Sequence, residues 1–468
     1  MQLSNTVGFL DLKNAICPLS TAYSGNRAKL KIISLLTGLV LMVLLLVAPN
    51  AFAANHYVRQ GASGSGNGTD WTNAFTSLPG TLIRGDTYYI AAGSYPAYTF
   101  DDAESSSLVT TIKKATTIEH GTETGWSSGY GSSQAVFNST MRFNTGYYLF
   151  DGLYRNENDW FAGDAYGFRI SHNNQNQNIV INASNITIKY VYIKAIYQNL
   201  PNTTIRRYAI DTDSYGGPIR TGLLFQRMYI YGSNQHWFLR TTNGAIVEYS
   251  ASKGIASNAA NHGNLINLYF SGNNAIIRYN KIRDAFVGNG GTSIVSISDA
   301  HGVEFYGNLV SNFETGDAAI GYGNTGNNSS NNNKVYNNTF IDGVGWNSGV
   351  SFATSTGNYA YNNLFINCTK VYFANVAHNY NGFSNSDARG ESKAQTNIPI
   401  SIFNNYDGKD FTLAYATING YALSSPYDKD LLGNIRGAEG VFGRGAYEYK
   451  RNNSGIKIQN APGIIKIQ

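Results

Sequence analysis

Chemistry-bearing side chains crowd into one stretch of a chain that is otherwise sparing with charge. Only 13% of the 468 residues are charged. Yet residues 236–304 hold His236, Arg240, Glu248, Lys253, His262, Arg278, Arg283, Asp284, Asp299, His301 and Glu304. A cation that can face an anion, a base and a proton donor are the parts needed to remove a proton beside a carboxylate. Spacing gives the grouping an order. Glu248 and Arg278 each stand two residues before a matching position, Ser250 and Asn280, and Lys253 and Arg283 each stand three residues after it. In NHGNLINLYF, His262 precedes a strand whose exposed positions include Asn267 and Tyr269, with Arg240 as neighbour from the preceding repeat. The plainer reading stands beside this one. Glu248 and Arg278 would then be a solvated cross-strand pair worth well under ~1 kcal/mol. Lys253 and Arg283 would deter edge association, and His262 beside Gly263 would be a turn residue.

What must position these residues is a repeat. AIIRYNKIRD, VEFYGNLVSN, NKVYNNTFID and NYAYNNLFIN share alternation broken by an Asn. Asn280, Asn308, Asn338 and Asn363 lie 28, 30 and 25 residues apart. Upstream the pattern continues at Ser250, Met228 and Val191 with the Asn replaced. Period-2 segments in irregular turns of this length predict a solenoid of β-strands. Its fold class is all-β: a single-stranded right-handed parallel β-helix. The Asn would sit at a tight bend, adopt the left-handed conformation it tolerates, and stack its amide on the next one about 4.8 Å away. The flanking pairs Ile277 and Ile282, Phe305 and Val310, Val335 and Phe340, and Ala360 and Phe365 should fill the interior. A solenoid needs covered ends. DWTNAFTSL predicts a short N-terminal capping helix from Asp70, with Trp71, Ala74, Phe75 and Leu78 on one face. RGDTYYIAAGSY then reads as the first strands, and Tyr447 and Tyr449 close the ordered part.

Composition agrees: 50 Gly and 34 Tyr suit many short strands and polar turns better than a helical bundle. Residues 1–53 read as a secretory signal: Arg27, Lys29 and Lys31 precede IISLLTGLVLMVLLLVA, which ends at Ala51-Phe52-Ala53. A membrane anchor is the rival reading of that run. The expected organisation is 1–53 leader, 54–449 β-helix and 450–468 tail, in a protein that is secreted to the periplasm, cell surface or medium. Loss of the leader lowers the net charge from +5 to +2, and beyond Lys450-Arg451 no basic cluster remains, so nucleic acid is not an expected partner. Cys17 leaves with the leader, which makes Cys368 a lone buried small hydrophobe.

Over about residues 56–449 the chain resembles the bacterial secreted right-handed β-helix proteins of the pectin-lyase-like superfamily. HYVRQGASGSGNGTDWTNAF with RGDTYYIAAGSY looks like their opening, and DLLGNIRG with GAYEY like their closing segment. That superfamily spans lyases, hydrolases, epimerases and non-catalytic adhesins. Its β-helix lyases on alginate and chondroitin-type glycans use a Lys base, an Arg partner and Ca²⁺ held by carboxylates. The resemblance thus implies β-elimination on an acidic extracellular polysaccharide, with Lys253, Arg278 and His262 as catalytic residues. Arg240, Asn267, Tyr269 and Arg283 would bind substrate, and Glu248 would bind Ca²⁺. The sequence departs from that pattern at Ile246, where a second acid is wanted, so no metal is assured.

Two alternatives stay open. A non-catalytic glycan-binding or surface-matrix protein would use exposed Tyr and Asn without transforming the sugar. A glycoside hydrolase would draw on Asp211, Asp213 and Asn261-His262-Gly263, but lacks the paired acids and terminal Arg-x-Lys of the polygalacturonase pattern. There is no phosphate loop, dinucleotide fingerprint, CxxC pair, HExxH or EF-hand loop. After the leader no second membrane-spanning run follows, and a monomer is expected.

Overall fold

The computed structural model describes residues 53–171, 177–195, 208–212, 217–254, 263–269, 271–286, 293–322 and 329–450. The leader, His262, Asp213 and the tail from 451 lie outside the described residues.

Alternating side chains in strands of two to seven residues leave one apolar row per strand, too short to be buried alone. The chain buries it by repetition. Each coil visits three sheets, here A, B and C in chain order, and within these sheets strands pair in parallel with their equivalents one coil on. Among the described residues sheet A has 12 strands, sheet B 11 and sheet C 10. This is a parallel β-helix. The inward pairs expected from the repeat are all buried: Ile277 and Ile282, Phe305 and Val310, Val335 and Phe340, Ala360 and Phe365. Register stacks like on like, so Phe340 lies 4.9 Å from Phe365 with rings 4° from parallel. Cys368 is buried and free, and burial raises its thiol to about 12.

Between sheets A and B the chain turns sharply. The amide of Asn280 donates to Asn308 Oδ1 at 3.0 Å, Asn308 to Asn338 at 3.0 Å, Asn338 to Asn363 at 2.9 Å and Asn363 to Asn381 at 3.0 Å. Each Oδ1 also accepts the backbone N–H of the preceding Asn. Each amide donates back to a carbonyl of the coil before, as Asn308 does to Ile277 at 2.9 Å. Toward the N-terminus Ser250 N–H donates to Asn280 Oδ1, and Met228 N–H to Ser250 Oγ. At the other end Glu391 accepts both the backbone N–H and the amide of Asn381.

One expectation is corrected at this bend. The left-handed residue is not the laddered Asn but the one before it: Arg227, Tyr249, Tyr279, Gly307, Asn337 and Asn362 have φ between 50° and 66°. The turn and the amide relay are separate tasks at adjacent positions. Gly307 serves the turn for a second reason, since a Cβ there would come within 2.7 Å of the Tyr279 ring.

The N-terminal lid corrects another. Residues 70–78 form no helix. Asp70 closes a side-chain turn by accepting from Asn73 N–H at 2.8 Å. Trp71 N–H donates to Thr124 O and Phe75 N–H to Tyr57 O, so the backbone bonds to distant segments and not along a helix. Trp71 and Ala74 are buried nonetheless. The segment covers the first coil as intended by its apolar spacing, in irregular form. At the far end Tyr447 is buried, and Arg444 donates to the carbonyls of Asn381, Lys393 and Asn419.

Two tests follow from burial. Asn308→Ala strands the Asn280 N–H and amide and the Ile277 carbonyl inside the bend. A stability loss of about 3 kcal/mol is expected in urea unfolding, from several unsatisfied groups at once. Lys114 is fully buried and, among the described residues, donates to the carbonyls of Ala115 and Tyr130 alone. Burial lowers its ammonium from 10.5 to about 7. Between those values the unfolded chain binds a proton that the folded chain lacks, so stability rises with pH, by on the order of 1 kcal/mol per pH unit. Unfolding at pH 7, 8 and 9 should show that slope in the native protein and not in Lys114→Met.

Candidate functional site

Register decides which candidate residues meet, because outward positions on one sheet share a column. Glu248 and Arg278 are in register on sheet A, as their shared slot predicts. They form a closed pair: Arg278 Nε donates to Glu248 Oε2 at 2.7 Å and Nη1 to the Tyr306 hydroxyl at 3.0 Å. Gln226 donates to the other Glu248 oxygen at 2.5 Å. Further along the same column Lys189 meets Asp151 at 3.0 Å. Glu248 does not fit Ca²⁺, which seeks six to eight oxygen ligands. Its carboxylate faces a guanidinium and an amide N–H, and no group of three His, Cys, Asp or Glu that could hold a metal occurs among the described residues.

Lys253 and Arg283 are in register too, but on sheet B, across the bend from Arg278. The expected joining of Lys253 with Arg278 in one groove therefore meets a geometric obstacle: three residues past the hinge is a different sheet from two residues before it. Arg240 and Asn267 belong to a third face, around sheet C. There Asn267 pairs with Phe238 in register and donates to Gln235 at 3.3 Å. Arg240 stacks 4.6 Å over Phe238 and lies 3.7 Å from buried Asp211. The Tyr269 backbone pairs with Ser298 on this sheet. His236, counted in the sequence grouping, points inward to bond Ser252 Oγ, and burial drops its imidazole to about 3. It stays neutral and sealed from substrate.

Sheet B holds the residues that spacing alone had not assembled. Lys194, Tyr231, Lys253 and Arg283 form one outward column over four successive coils. The neighbouring column runs Arg169, Tyr192, Tyr229, Ala251 and Lys281. Tyr192 and Tyr229 stack with centroids 4.9 Å apart. The loop 153–166 leans over this face. Its Phe161 lies 3.7 Å from the Arg283 guanidinium, and its Trp160 lies 4.3 Å from the Lys281 ammonium. Five cations thus share the face. Among the described residues the carboxylates that pair with them are Asp284, 3.5 Å from Lys253 and 3.9 Å from Arg283, and Asp164, 4.0 Å from Arg169. These contacts are long, whereas the sheet A pair is tight. Lys281 forms no hydrogen bond or ion pair among the described residues, and burial together with nearby Arg155 lowers its pKa.

The missed residues were within reach of the slot alignment. Three residues past Val191 and Met228 stand Lys194 and Tyr231, in the slot of Lys253 and Arg283. Only the overhanging loop with Trp160 and Phe161 left no periodic trace.

No family model matches the chain, and no curated protein matches it. Among solved structures it is similar to a PL6-family polysaccharide lyase from Pseudopedobacter saltans, with TM-score 0.33 and 10% identity over 74% of this chain and 94% of that one. It is also similar to the A-module of the Azotobacter vinelandii mannuronan C-5 epimerase AlgE6, with TM-score 0.30 and 14% identity over 67% of this chain and 91% of that one.

The tight sheet A pair and the loose sheet B cations should respond differently to truncation. Arg278→Ala leaves the Glu248 carboxylate, 7% exposed, without its counter-charge. A loss of about 2 kcal/mol is expected, since removing one partner of a mostly buried pair leaves the other uncompensated. Lys253→Ala, with its long contact to Asp284, should stay within about 0.5 kcal/mol. Thermal unfolding of the two variants side by side reads the difference.

Proposed function

We propose that the protein binds an acidic polysaccharide along the outer face of sheet B. The observation that carries this reading is the in-register column Lys194, Tyr231, Lys253 and Arg283, flanked by Arg169, Tyr192 and Tyr229. Coils repeat about every 4.8 Å, close to the advance of one sugar along an extended glycan. Cations at that spacing can meet successive carboxylates or sulfates, and the partly exposed Tyr231 ring can receive a C–H face between them. With the leader expected at 1–53, the polysaccharide would be met outside the cytoplasm.

Catalysis by β-elimination is a second reading, favoured by one observation: Lys281 is a half-buried amine with a lowered pKa and no ion pair among the described residues, two residues from Arg283 on the same face. On a bound uronate, Arg283 would offset the charge that grows on the carboxylate as the adjacent C–H bond breaks. The Lys281 amine in its uncharged form would take that proton, and the Tyr231 hydroxyl would protonate the departing glycosidic oxygen. The base assigned to Lys253 from the resemblance would then be Lys281.

One set of experiments separates these readings. In gels cast with alginate, polygalacturonate or chondroitin sulfate, the native protein should be retarded by at least one glycan, and less so as salt rises. The double variant Lys253→Ala/Arg283→Ala should run unretarded while unfolding at nearly the native temperature. Unchanged retardation would remove sheet B from consideration. Ultraviolet absorbance of an unsaturated uronate, present in the native protein and lost in Lys281→Met, would establish elimination. Retardation without absorbance would leave a binder.

A further inference from the structure

We propose that a groove on the outer face of sheet A, separate from the sheet B face, binds a short neutral oligosaccharide. The groove has a volume of about 500 Å³ and is broadly open to solvent. Sites for small ligands fall in that size range. Its floor is two columns wide. Leu149, Thr187 and Leu224 stand in register in one, and Lys189 and Gln226 stand in the next.

One wall comes from segment 101–109, and it is held in place before any ligand arrives. Arg84 donates to the Asp102 carbonyl, to Ala103 O at 3.1 Å, to Gly146 O at 2.7 Å and to Thr145 Oγ1 at 2.9 Å. Its guanidinium also lies 4.2 Å over the Tyr148 ring. Asp102 accepts from Leu82 N–H at 2.8 Å and from the Tyr148 hydroxyl at 2.9 Å, and Glu104 accepts Gly146 N–H at 2.6 Å. A wall so tethered still holds Val109 at 44% exposure on the groove and Leu108 at 50% beside it. Preorganisation of this kind lowers the ordering cost of binding.

The chemistry of the lining selects the ligand. The ionised lining residue, Lys189, is matched by Asp151 at 3.0 Å, so the groove offers no surplus charge to a polyanion. Ser107, Asn185 and Thr187 line it with side chains that make no hydrogen bond among the described residues. Gln226 spends its amide N–H on Glu248 and keeps a carbonyl oxygen to accept. Hydroxyl-rich ligands suit these groups. Val109, Leu149 and Leu224 add apolar surface for the C–H face of a pyranose ring. Two or three uncharged sugars match both the volume and the inventory.

Calorimetric titration with cellotriose, maltotriose, mannotriose and chitotriose tests the assignment. At least one should bind, and Leu224→Trp, which fills the groove from its floor, should weaken that binding tenfold or more. The Lys253→Ala/Arg283→Ala variant should bind the same trisaccharide unchanged, and Leu224→Trp should still be retarded by acidic glycan wherever the native protein is. Leu149→Trp, filling the same floor two column positions away, repeats the test if Leu224→Trp folds poorly. Binding of none of the four, binding undiminished in both Trp variants, or binding lost in the sheet B variant would overturn the proposal.

Discussion

The buried relay of amides at the bend between sheets A and B is the constraint on which the rest of the molecule depends. A sharp turn repeated coil after coil leaves backbone N–H and C=O groups facing inward with no strand partner, and burying them unpaired would be costly. Asn resolves this because a single side chain both accepts and donates. Each amide takes the N–H and amide hydrogen of its predecessor and returns a hydrogen bond to an earlier carbonyl. The relay fixes the vertical offset between coils at one residue pair per rung. Once that offset is fixed, every apolar row inside and every polar row outside falls into line.

Vertical order is also what distributes charge. Glu248, Arg278, Lys253 and Arg283 are near one another in sequence offset, yet the bend assigns the first two to sheet A and the others to sheet B. The outcome is two environments from one set of residue types. On sheet A opposite charges alternate along a column and neutralise each other over short distances. On sheet B one column carries three cations and a single Tyr, and their carboxylates are shared or distant. A face that leaves its own charges weakly satisfied is one that can exchange them for a ligand's, and a face that satisfies them is built for cohesion.

Much of this was legible in the sequence, for a physical reason: period-2 alternation and a recurring Asn are imposed by burial, which acts on every coil alike. Inward pairs such as Phe340 and Phe365 could therefore be read directly. Pairings within a slot were readable as well, since Glu248 with Arg278 and Lys253 with Arg283 required only counting from the hinge. Sidedness was not, because residues two before and three after a bend look close in number while pointing away on different sheets. The left-handed residue was misplaced by one position, as Asn serves two local purposes and only the neighbour's torsion distinguishes them. At Asp70 the helical spacing of Trp71, Ala74 and Phe75 satisfied burial without satisfying a helix, whose backbone bonds were taken by Thr124 and Tyr57. The loop carrying Trp160 and Phe161 has no counterpart in other coils, and so repetition could say nothing of it.

Glu391 gives the relay a direction. Every Asn hands a hydrogen onward toward the C-terminus, and the carboxylate that receives the last one has none to pass along. The column therefore behaves as a sentence with a full stop. Duplicating a coil anywhere between Asn280 and Asn363 would preserve the grammar, because each inserted amide would find a donor behind and an acceptor ahead. Adding one after Glu391 would confront a fresh amide oxygen with an anion. The length of this solenoid is thus open to change in its middle and closed at its end.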